Sequence, residues 1–221
     1  MGKHLSRHPL VNYKLQSHAI PTPPAQVPRL LSDKRLLEGI KVVELVRIIA
    51  GPVNGTTLAA FGADVIRVNS SRLPDINSLQ LSLNAGFTTI DIDLTKEEEL
   101  ARLMELIEDA DIFVQGYRPG VIARKGLSLP DLLELSGKRG KGIVYVEENC
   151  YGPDGPFHDR LGWQQVGDAA SGASYVTARS MGHMDGRTIL PSFPIPDMIT
   201  RLIRALGALM AIRDRTRGGG S

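Results

Sequence analysis

LEGIKVVELVRIIAGPVNGTTLAAFGADVIRVN, from Leu37 to Asn69, carries the main structural signal of this chain. KVVELV is an apolar run rich in β-branched residues and predicts a strand, and ADVIRV predicts a second one. Between them AGPVNG breaks the pattern, and we expect a helix to open at TTLAAFGA. A strand followed by a glycine-containing loop and a helix N-terminus is a common binding site for phosphorylated cofactors, because free backbone N–H groups point at the anion.

The alternation of strand and helix patterns continues along the chain. Helical patterns separate three more predicted strands, which are TTIDIDL (Thr88–Leu94), DIFVQGY (Asp111–Tyr117) and GIVYVEEN (Gly142–Asn149). Strands that alternate with helices predict an α/β fold, with a Rossmann-like, mostly parallel sheet covered by helices on both faces.

A last helix is predicted from Asp197 to about Arg215, after the proline-rich segment PSFPIPD. Its apolar residues recur at helical spacing, and we expect them to form the buried face of this helix. They are Ile199, Leu202, Ile203, Leu206 and Met210.

Composition excludes several classes of protein. A net charge of +2 is too small to indicate a nucleic-acid partner, and no apolar run approaches the roughly 20 residues that span a bilayer. The lone Cys150 cannot form an intrachain disulfide, which fits a reducing compartment. No cluster of residues has the spacing of metal ligands, so no metal site is predicted.

The first 35 residues differ from the rest. Met1 to Ser32 contains no acidic residue, and PTPPAQVP (Pro21–Pro28) is rich in proline. An acid-free, basic start is typical of a mitochondrial presequence, but the prolines oppose the amphipathic helix that such a signal needs. We therefore predict a basic, proline-rich arm or linker over residues 1–35, a single domain over residues 36–221, and a cytoplasmic location, with mitochondrial import as the alternative.

Asp197 is the main candidate for chemistry. It follows FPIP and precedes an apolar helix. By itself this position favours an N-cap, in which the carboxylate accepts a backbone hydrogen bond in the first turn. A carboxylate at a helix N-terminus is also able to act as a nucleophile.

Three segments resemble family III CoA-transferases, the CaiB/BaiF group that includes formyl-CoA and carnitine CoA-transferases. The first is EGIKVVELVRIIAGPVNGTTLAAFGADVIRV, and the second is GYRPGVIARKG (Gly116–Gly126). The third begins at Tyr151 with YGPDGPF and continues to Gly162 and Trp163. The related α-methylacyl-CoA racemases have an aspartate in this third segment, where the chain has Gln164.

The resemblance implies both an activity and its residues. Asp197 falls on the catalytic aspartate of the family, which would move CoA between an acyl-CoA and a carboxylic acid through an aspartyl-CoA thioester. CoA is then a substrate, and no permanently bound cofactor is expected. The resemblance and the arginines near strand ends imply CoA contacts by Arg47, Ala50, Gly51, Pro52, Arg67, Arg72, Tyr117, Arg118 and Arg124. An ordinary tight turn and solvated arginines are the alternatives for these positions.

Some features depart from the family. Its members are usually longer, so we expect an incomplete domain with an exposed apolar patch. The family usually has glycine where this chain has Arg201, and Arg204 is also unusual. The resemblance implies a homodimer or pairing with a related chain. The alternative function is a catalytically inactive CoA-binding fragment, or a partner of a full-length paralogue.

Overall fold

The fold is a five-stranded parallel sheet with helices on both faces. The computed structural model describes residues 6–16, 20–24 and 35–221. The strands are β1 (Lys41–Leu45), β2 (Asp64–Asn69), β3 (Thr88–Asp91), β4 (Ile112–Gln115) and β5 (Val144–Glu147). They lie in the order β3-β2-β1-β4-β5, and every neighbouring pair is parallel. The predicted α/β class and parallel sheet are confirmed.

Seven α-helices are assigned among the described residues. The four that connect successive strands are α1 (Ala50–Ala60), α2 (Asn77–Leu83), α3 (Glu97–Asp109) and α4 (Leu129–Arg139). A 3₁₀ turn at Ala123–Lys125 precedes α4. Beyond the sheet lie α5 (Gln164–Ser171), α6 (Ala173–Ser180) and the long α7 (Ile195–Gly218). No described helix combines the length and apolar character that a bilayer span requires.

Each face of the sheet has its own apolar core, because side chains alternate along a strand. Val42 of β1 packs with residues of α1 and α7 on one face, including Leu58 and Ile212. Val43 packs on the other face with residues of α3 and α4, including Leu103 and Leu132. Two covered faces explain why the strands are almost continuously apolar.

Two connections differ from the sequence prediction. α1 begins at Ala50, before Gly55, because Pro52 lies in the first helical turn, where a missing N–H group leaves no hydrogen bond unmade. The segment from Ser70 to Gly86, for which the sequence analysis gives no element, contains α2.

The last helix also turns a different face to the core. Ala205, Ala208 and Ile212 are buried, whereas Leu202 and Leu206 are 54% and 48% exposed. The predicted buried stripe was therefore wrong. Small alanine side chains let α7 pack closely on α1, and Leu202 and Leu206 lie on an adjacent face that is exposed.

The described part of the N-terminal arm contacts the end of the chain. Gln16 and Ser221 exchange two backbone hydrogen bonds, and the Tyr13 hydroxyl donates to Asp214 of α7 at 2.7 Å. The Gly220 amide donates to Thr22 Oγ1 at 3.0 Å. The remainder of the predicted arm, residues 1–5, 17–19 and 25–34, lies outside the described residues, and the domain boundary at residue 35 stays a prediction.

Candidate functional site

The order of the strands defines a switch point in the sheet. The connection after β1 runs to β2 on one side, and the connection after β4 runs towards β5 on the other, so the sheet opens between β1 and β4 at their carboxyl ends. Open parallel sheets bind ligands at this kind of switch point. The AGP turn and the Gly116–Tyr117 segment, which the sequence analysis selected, follow β1 and β4 and meet there.

The β1–α1 turn is tight and strained. Ile49, the residue before α1, has φ 52°, a left-handed conformation that a β-branched residue rarely adopts. At Gly51, in the first turn of α1, an added Cβ would lie 2.8 Å from Val46 Cγ1 and 2.9 Å from Glu148 Oε2. Only glycine fits at this position. Residue 51 therefore has no side chain that would cover the backbone at the α1 N-terminus.

Asp197 lies at the N-terminus of α7, as its third residue rather than its N-cap. Pro194 occupies the N-cap position and provides no side-chain cap, and no described residue donates a hydrogen bond to the Asp197 carboxylate. The Asp197 amide donates to Gln164 Oε1 at 3.0 Å. Asp197 is therefore not the N-cap of α7, and its carboxylate oxygens accept no capping hydrogen bond from the part of the chain that the structure describes.

The surroundings of Asp197 disfavour its charge. Burial, together with the nearby Glu148 and Asp168 carboxylates, raises the pKa of Asp197 to about 6, and the charge of Arg204 partly opposes this rise. A half-buried carboxylate whose pKa is raised by burial and by neighbouring charges is typical of functional sites. A more basic carboxylate is also a better nucleophile once it is ionised.

Arg204 and Glu148 form an ion pair behind Asp197. Arg204 Nη1 lies 2.8 Å from Glu148 Oε2, and the two side chains are 9% and 21% exposed. Glu148 follows β5 and reaches towards the opening between β1 and β4, where an added Cβ on Gly51 or on Gly116 would lie 2.9 Å from its Oε2.

A second pair of side chains fixes the start of α7. Gln164 Nε2, at the start of α5, donates to both carboxylate oxygens of Asp168 at 2.9 Å, and this orients its Oε1 towards the Asp197 amide. Asp168 is 2% exposed. α5 therefore holds the backbone of Asp197, and its side chains set the helix position.

Cys150 completes the immediate surroundings of Asp197. The residue is exposed, on the loop after β5, and burial of the thiol together with the Asp197 charge raises the pKa of the thiol. Gly162 and Gly167 pack against its sulfur. The thiol is therefore mostly protonated near neutral pH.

Glu148, Asp168 and the proximity of Cys150 were not predicted from the sequence. The sequence signal was the position of Glu148, a charged residue near the carboxyl end of the predicted strand Gly142–Asn149. Polar residues at the carboxyl ends of parallel strands meet at one edge of the sheet. Among the described residues, no group of three or more His, Cys, Asp or Glu residues is placed to hold a metal ion.

Several predicted CoA-binding residues lie together around the opening of the sheet. Arg47 is half-buried, donates to the carbonyl of Pro74, and is close enough to the half-buried Tyr117 for its charge to lower the pKa of that phenol, which burial raises. Ala50, Gly51 and Pro52 form the first turn of α1 on the same side.

Arg118 and Arg124 lie at the adjacent corner, after β4. Arg118 lines a cleft of about 250 Å³ together with Gly120, Tyr145 and Glu147. Arg124 lies against Gly120, where an added Cβ would be 3.2 Å from its Nη1. Both arginines are exposed and accessible to an anion.

Arg72 and Arg67 do not join this group. Arg72 lies beyond β2, where its Nη1 donates to Asp93 at 3.0 Å and to Thr95 at 3.1 Å, and its side chain is 63% exposed. Arg67 is 1% exposed and donates to Asn84 Oδ1 and to the Arg47 carbonyl, next to the buried Glu44. A guanidinium enclosed in this way has no surface that a phosphate could reach, so the structure places Arg67 in the core and does not support its predicted CoA contact.

Comparison with known proteins identifies the family. The sequence profile of CoA-transferase family III matches residues 37–221. An acyl-CoA transferase of Gibberella moniliformis is 56% identical over 100% of this chain and 39% of that protein. The acetyl-coenzyme A transferase nodX of Hypoxylon pulicicidum is 40% identical over 86% of this chain and 32% of that protein.

The solved structures agree with the sequence relatives. The crystal structure of Rv3272 from M. tuberculosis superposes with a TM-score of 0.74 and 26% identity over 85% of this chain and 51% of that one. The chain thus spans about two fifths or less of these two curated relatives and half of this solved structure. By sequence profile, relatives and fold, this chain belongs to CoA-transferase family III.

Proposed function

We propose that the protein carrying this chain moves CoA from an acyl-CoA to a carboxylic acid, with Asp197 as the nucleophile. The observation that carries the proposal is the Asp197 carboxylate itself. It lies at a helix N-terminus, receives no capping hydrogen bond from the described residues, and has a pKa raised to about 6. Membership of the family and the acyl-CoA and acetyl-coenzyme A transferase names of two relatives support this chemistry.

The proposed reaction has four balanced steps. The Asp197 carboxylate attacks the acyl thioester carbonyl and the C–S bond breaks. CoA departs as its thiolate, and a mixed anhydride forms between Asp197 and the acyl group. The thiolate then attacks the aspartyl carbonyl and releases the donor acid as its carboxylate, which gives an aspartyl-CoA thioester. The acceptor carboxylate displaces CoA thiolate and forms a second anhydride. The thiolate finally attacks the acceptor carbonyl and restores the Asp197 carboxylate. Each step exchanges one acyl bond for another, so none requires a resident cofactor.

For CoA binding we propose the opening of the sheet and the corner after β4. The α1 N-terminus presents unpaired backbone N–H groups, and Arg47, Arg118 and Arg124 are cationic groups with accessible or half-buried positions around it. Tyr117 is half-buried, lies near enough to Arg47 to be affected by its charge, and precedes Arg118 in the chain. Neutralisation of phosphates by these groups makes CoA affinity fall as ionic strength rises.

We also propose that a second chain, either a copy or a related subunit, covers part of α5–α7. Large apolar side chains are exposed on this part of the chain. They include Leu161, Trp163, Val176, Phe193, Ile199, Leu202 and Leu206. Association is measured by light scattering, with a concentration series on the wild type and on Leu202→Ser. A monomer at all concentrations contradicts this part of the proposal.

The test of the transferase is an exchange assay. The protein is incubated with an acyl-CoA and a series of isotope-labelled carboxylic acids, and labelled acyl-CoA is measured by mass spectrometry. Asp197→Ala is expected to abolish exchange and leave CoA binding in place, and Asp185→Ala, on an exposed loop, is the matched control. CoA binding without any exchange by the wild type favours the inactive CoA-binding fragment. Exchange that persists in Asp197→Ala refutes the role of Asp197.

A further inference from the structure

We infer that Arg204 and Glu148 act as a positioning pair for Asp197, in which Arg204 supplies the counter-charge of the carboxylate and Glu148, held beside Arg204, opposes that effect with its own charge. The inference rests on the proposed role of Asp197 as nucleophile. It concerns two residues that do not themselves exchange bonds with the substrate.

Asp197 and Arg204 lie on the same side of α7. Asp197, Arg201 and Arg204 are spaced by four and three residues, so all three lie on one side of the helix. This side faces the protein, since Ala205 and Ala208 next to it are buried. Arg204 is therefore enclosed, with only 9% of its side chain exposed, and water cannot screen its charge effectively.

Arg204 and Glu148 are in direct contact. Arg204 Nη1 lies 2.8 Å from Glu148 Oε2, yet the contact is not aligned as a hydrogen bond, and Nη1 has no other hydrogen-bond partner. The guanidinium is attracted by Glu148 without being fully engaged by it. The Arg204 charge favours the ionised form of Asp197, and the Glu148 charge opposes it.

The Glu148 side chain is confined by two glycines. Its Oε2 lies in a cradle made by Gly51 and Gly116, where a side chain on either glycine would come within 2.9 Å. The carboxylate is therefore held at the opening between β1 and β4, close enough to Asp197 to disfavour the Asp197 charge. Two carboxylates share one cation at this point, and the balance between them depends on where Glu148 is held.

Other titratable and charged groups adjoin these three residues, and none of them is substituted in the test. Asp168 from α5 and the Cys150 thiol after β5 adjoin Asp197. The fully buried Glu44 of β1 adjoins both Glu148 and Arg204, and Arg67 of β2 lies beside Glu44. Removal of Arg204 or of the Glu148 charge should therefore move the ionisation of Asp197 in opposite directions. At protein-like dielectric, each should move it by about one pH unit.

The experiment measures the ionisation of Asp197 directly. Carboxyl ¹³C NMR titrations are recorded on the 221-residue chain, with Asp197→Asn to identify the Asp197 signal. Arg204→Met is expected to raise the midpoint by about one pH unit and Glu148→Gln to lower it, and Arg204→Lys should restore the midpoint. Arg213→Met is the control, because Arg213 lies on the same helix, is 53% exposed and pairs with Asp214.

The same variants are then assayed for the pH dependence of acyl-CoA exchange. Opposite shifts of the NMR midpoint, absent from Arg213→Met, support the pair. Unchanged midpoints, or shifts in one common direction, overturn it. If Arg204→Met does not fold, the Glu148→Gln titration decides, and an unchanged or raised midpoint in that variant overturns the pair. If the NMR midpoints shift as expected but the wild type exchanges nothing, the pair is supported and the proposed function fails, so the two outcomes are distinguished.

Discussion

Replacement of Asp197 by asparagine is expected to stabilise the fold. The pKa of Asp197 is raised from its usual 3.8 to about 6, chiefly by burial. A carboxyl group with a raised pKa is easier to protonate in the folded chain than in the unfolded one. Its contribution to stability is complete below pH 3.8 and is lost as pH rises through about 6. Asparagine remains neutral and avoids this loss.

The size of the effect follows from the same two values. The difference between 3.8 and about 6, at about 1.4 kcal/mol per pK unit, corresponds to at most about 3 kcal/mol above pH 6. Because the carboxylate is only partly buried, we expect about 1–3 kcal/mol at about pH 8 and close to zero at about pH 4. For a chain of this length, each kcal/mol raises the melting temperature by about 2–4 °C.

The assay is thermal unfolding followed by circular dichroism across this pH range. Asp185→Asn, an exposed loop carboxylate, is the control and is expected to change stability by less than about 0.5 kcal/mol. If Asp197→Asn is no more stable than the wild type at about pH 8, or if its advantage does not depend on pH, the argued environment of Asp197 is incorrect.

Three further predictions test other parts of the account. Arg67→Met should lower the free energy of unfolding in urea by about 3 kcal/mol, because it removes a buried guanidinium that donates to Asn84 Oδ1 and to the Arg47 carbonyl. Unchanged stability together with weaker CoA binding would instead support the CoA contact predicted from the sequence. Ile212→Ala should cost about 2–4 kcal/mol and Leu206→Ser less than about 1 kcal/mol in the same assay, and the reverse order would show that α7 presents the other face. Arg118→Ala should weaken CoA binding about 5- to 10-fold at low salt in calorimetry and less at high salt, with stability unchanged, whereas equal affinity at all salt concentrations would remove Arg118 from the site.

The sheet could be predicted from sequence because its signals are local. The apolar strands β1 and β4, and the alternation with helices, specify a parallel sheet and therefore the edge at which a site forms. The start of α4 is likewise a local feature, where the Ser128 and Asp131 side chains form a reciprocal cap. By contrast, Thr95 and Glu98 have the spacing of a capping box, but α3 begins after Lys96 without a side-chain cap. The Thr95 amide and hydroxyl donate to Asp93 Oδ1 instead.

The remaining features depend on packing between distant segments. Hydrophobicity along α7 selected the leucine face, but the close approach of α1 and α7 selects alanine, and this leaves Leu202 and Leu206 outside. Arg67 looks like a phosphate ligand in sequence because arginines near strand ends often are. Its burial depends on Asn84 and on the turn after β1, which no local pattern reveals. Glu148 joins Asp197 only because β5 and α7 meet at the opening of the sheet.

The most direct test of the central claim is to trap the activated carboxylate of Asp197. The protein is incubated with an acyl-CoA, hydroxylamine is added, and peptides are mapped by mass spectrometry. An anhydride or thioester on Asp197 reacts with hydroxylamine, and the account predicts a hydroxamate on the peptide that contains Asp197, dependent on acyl-CoA and absent from Asp197→Asn. A hydroxamate on another carboxylate, such as Glu148 or Asp168, or none in a protein that exchanges acyl-CoA, would contradict it.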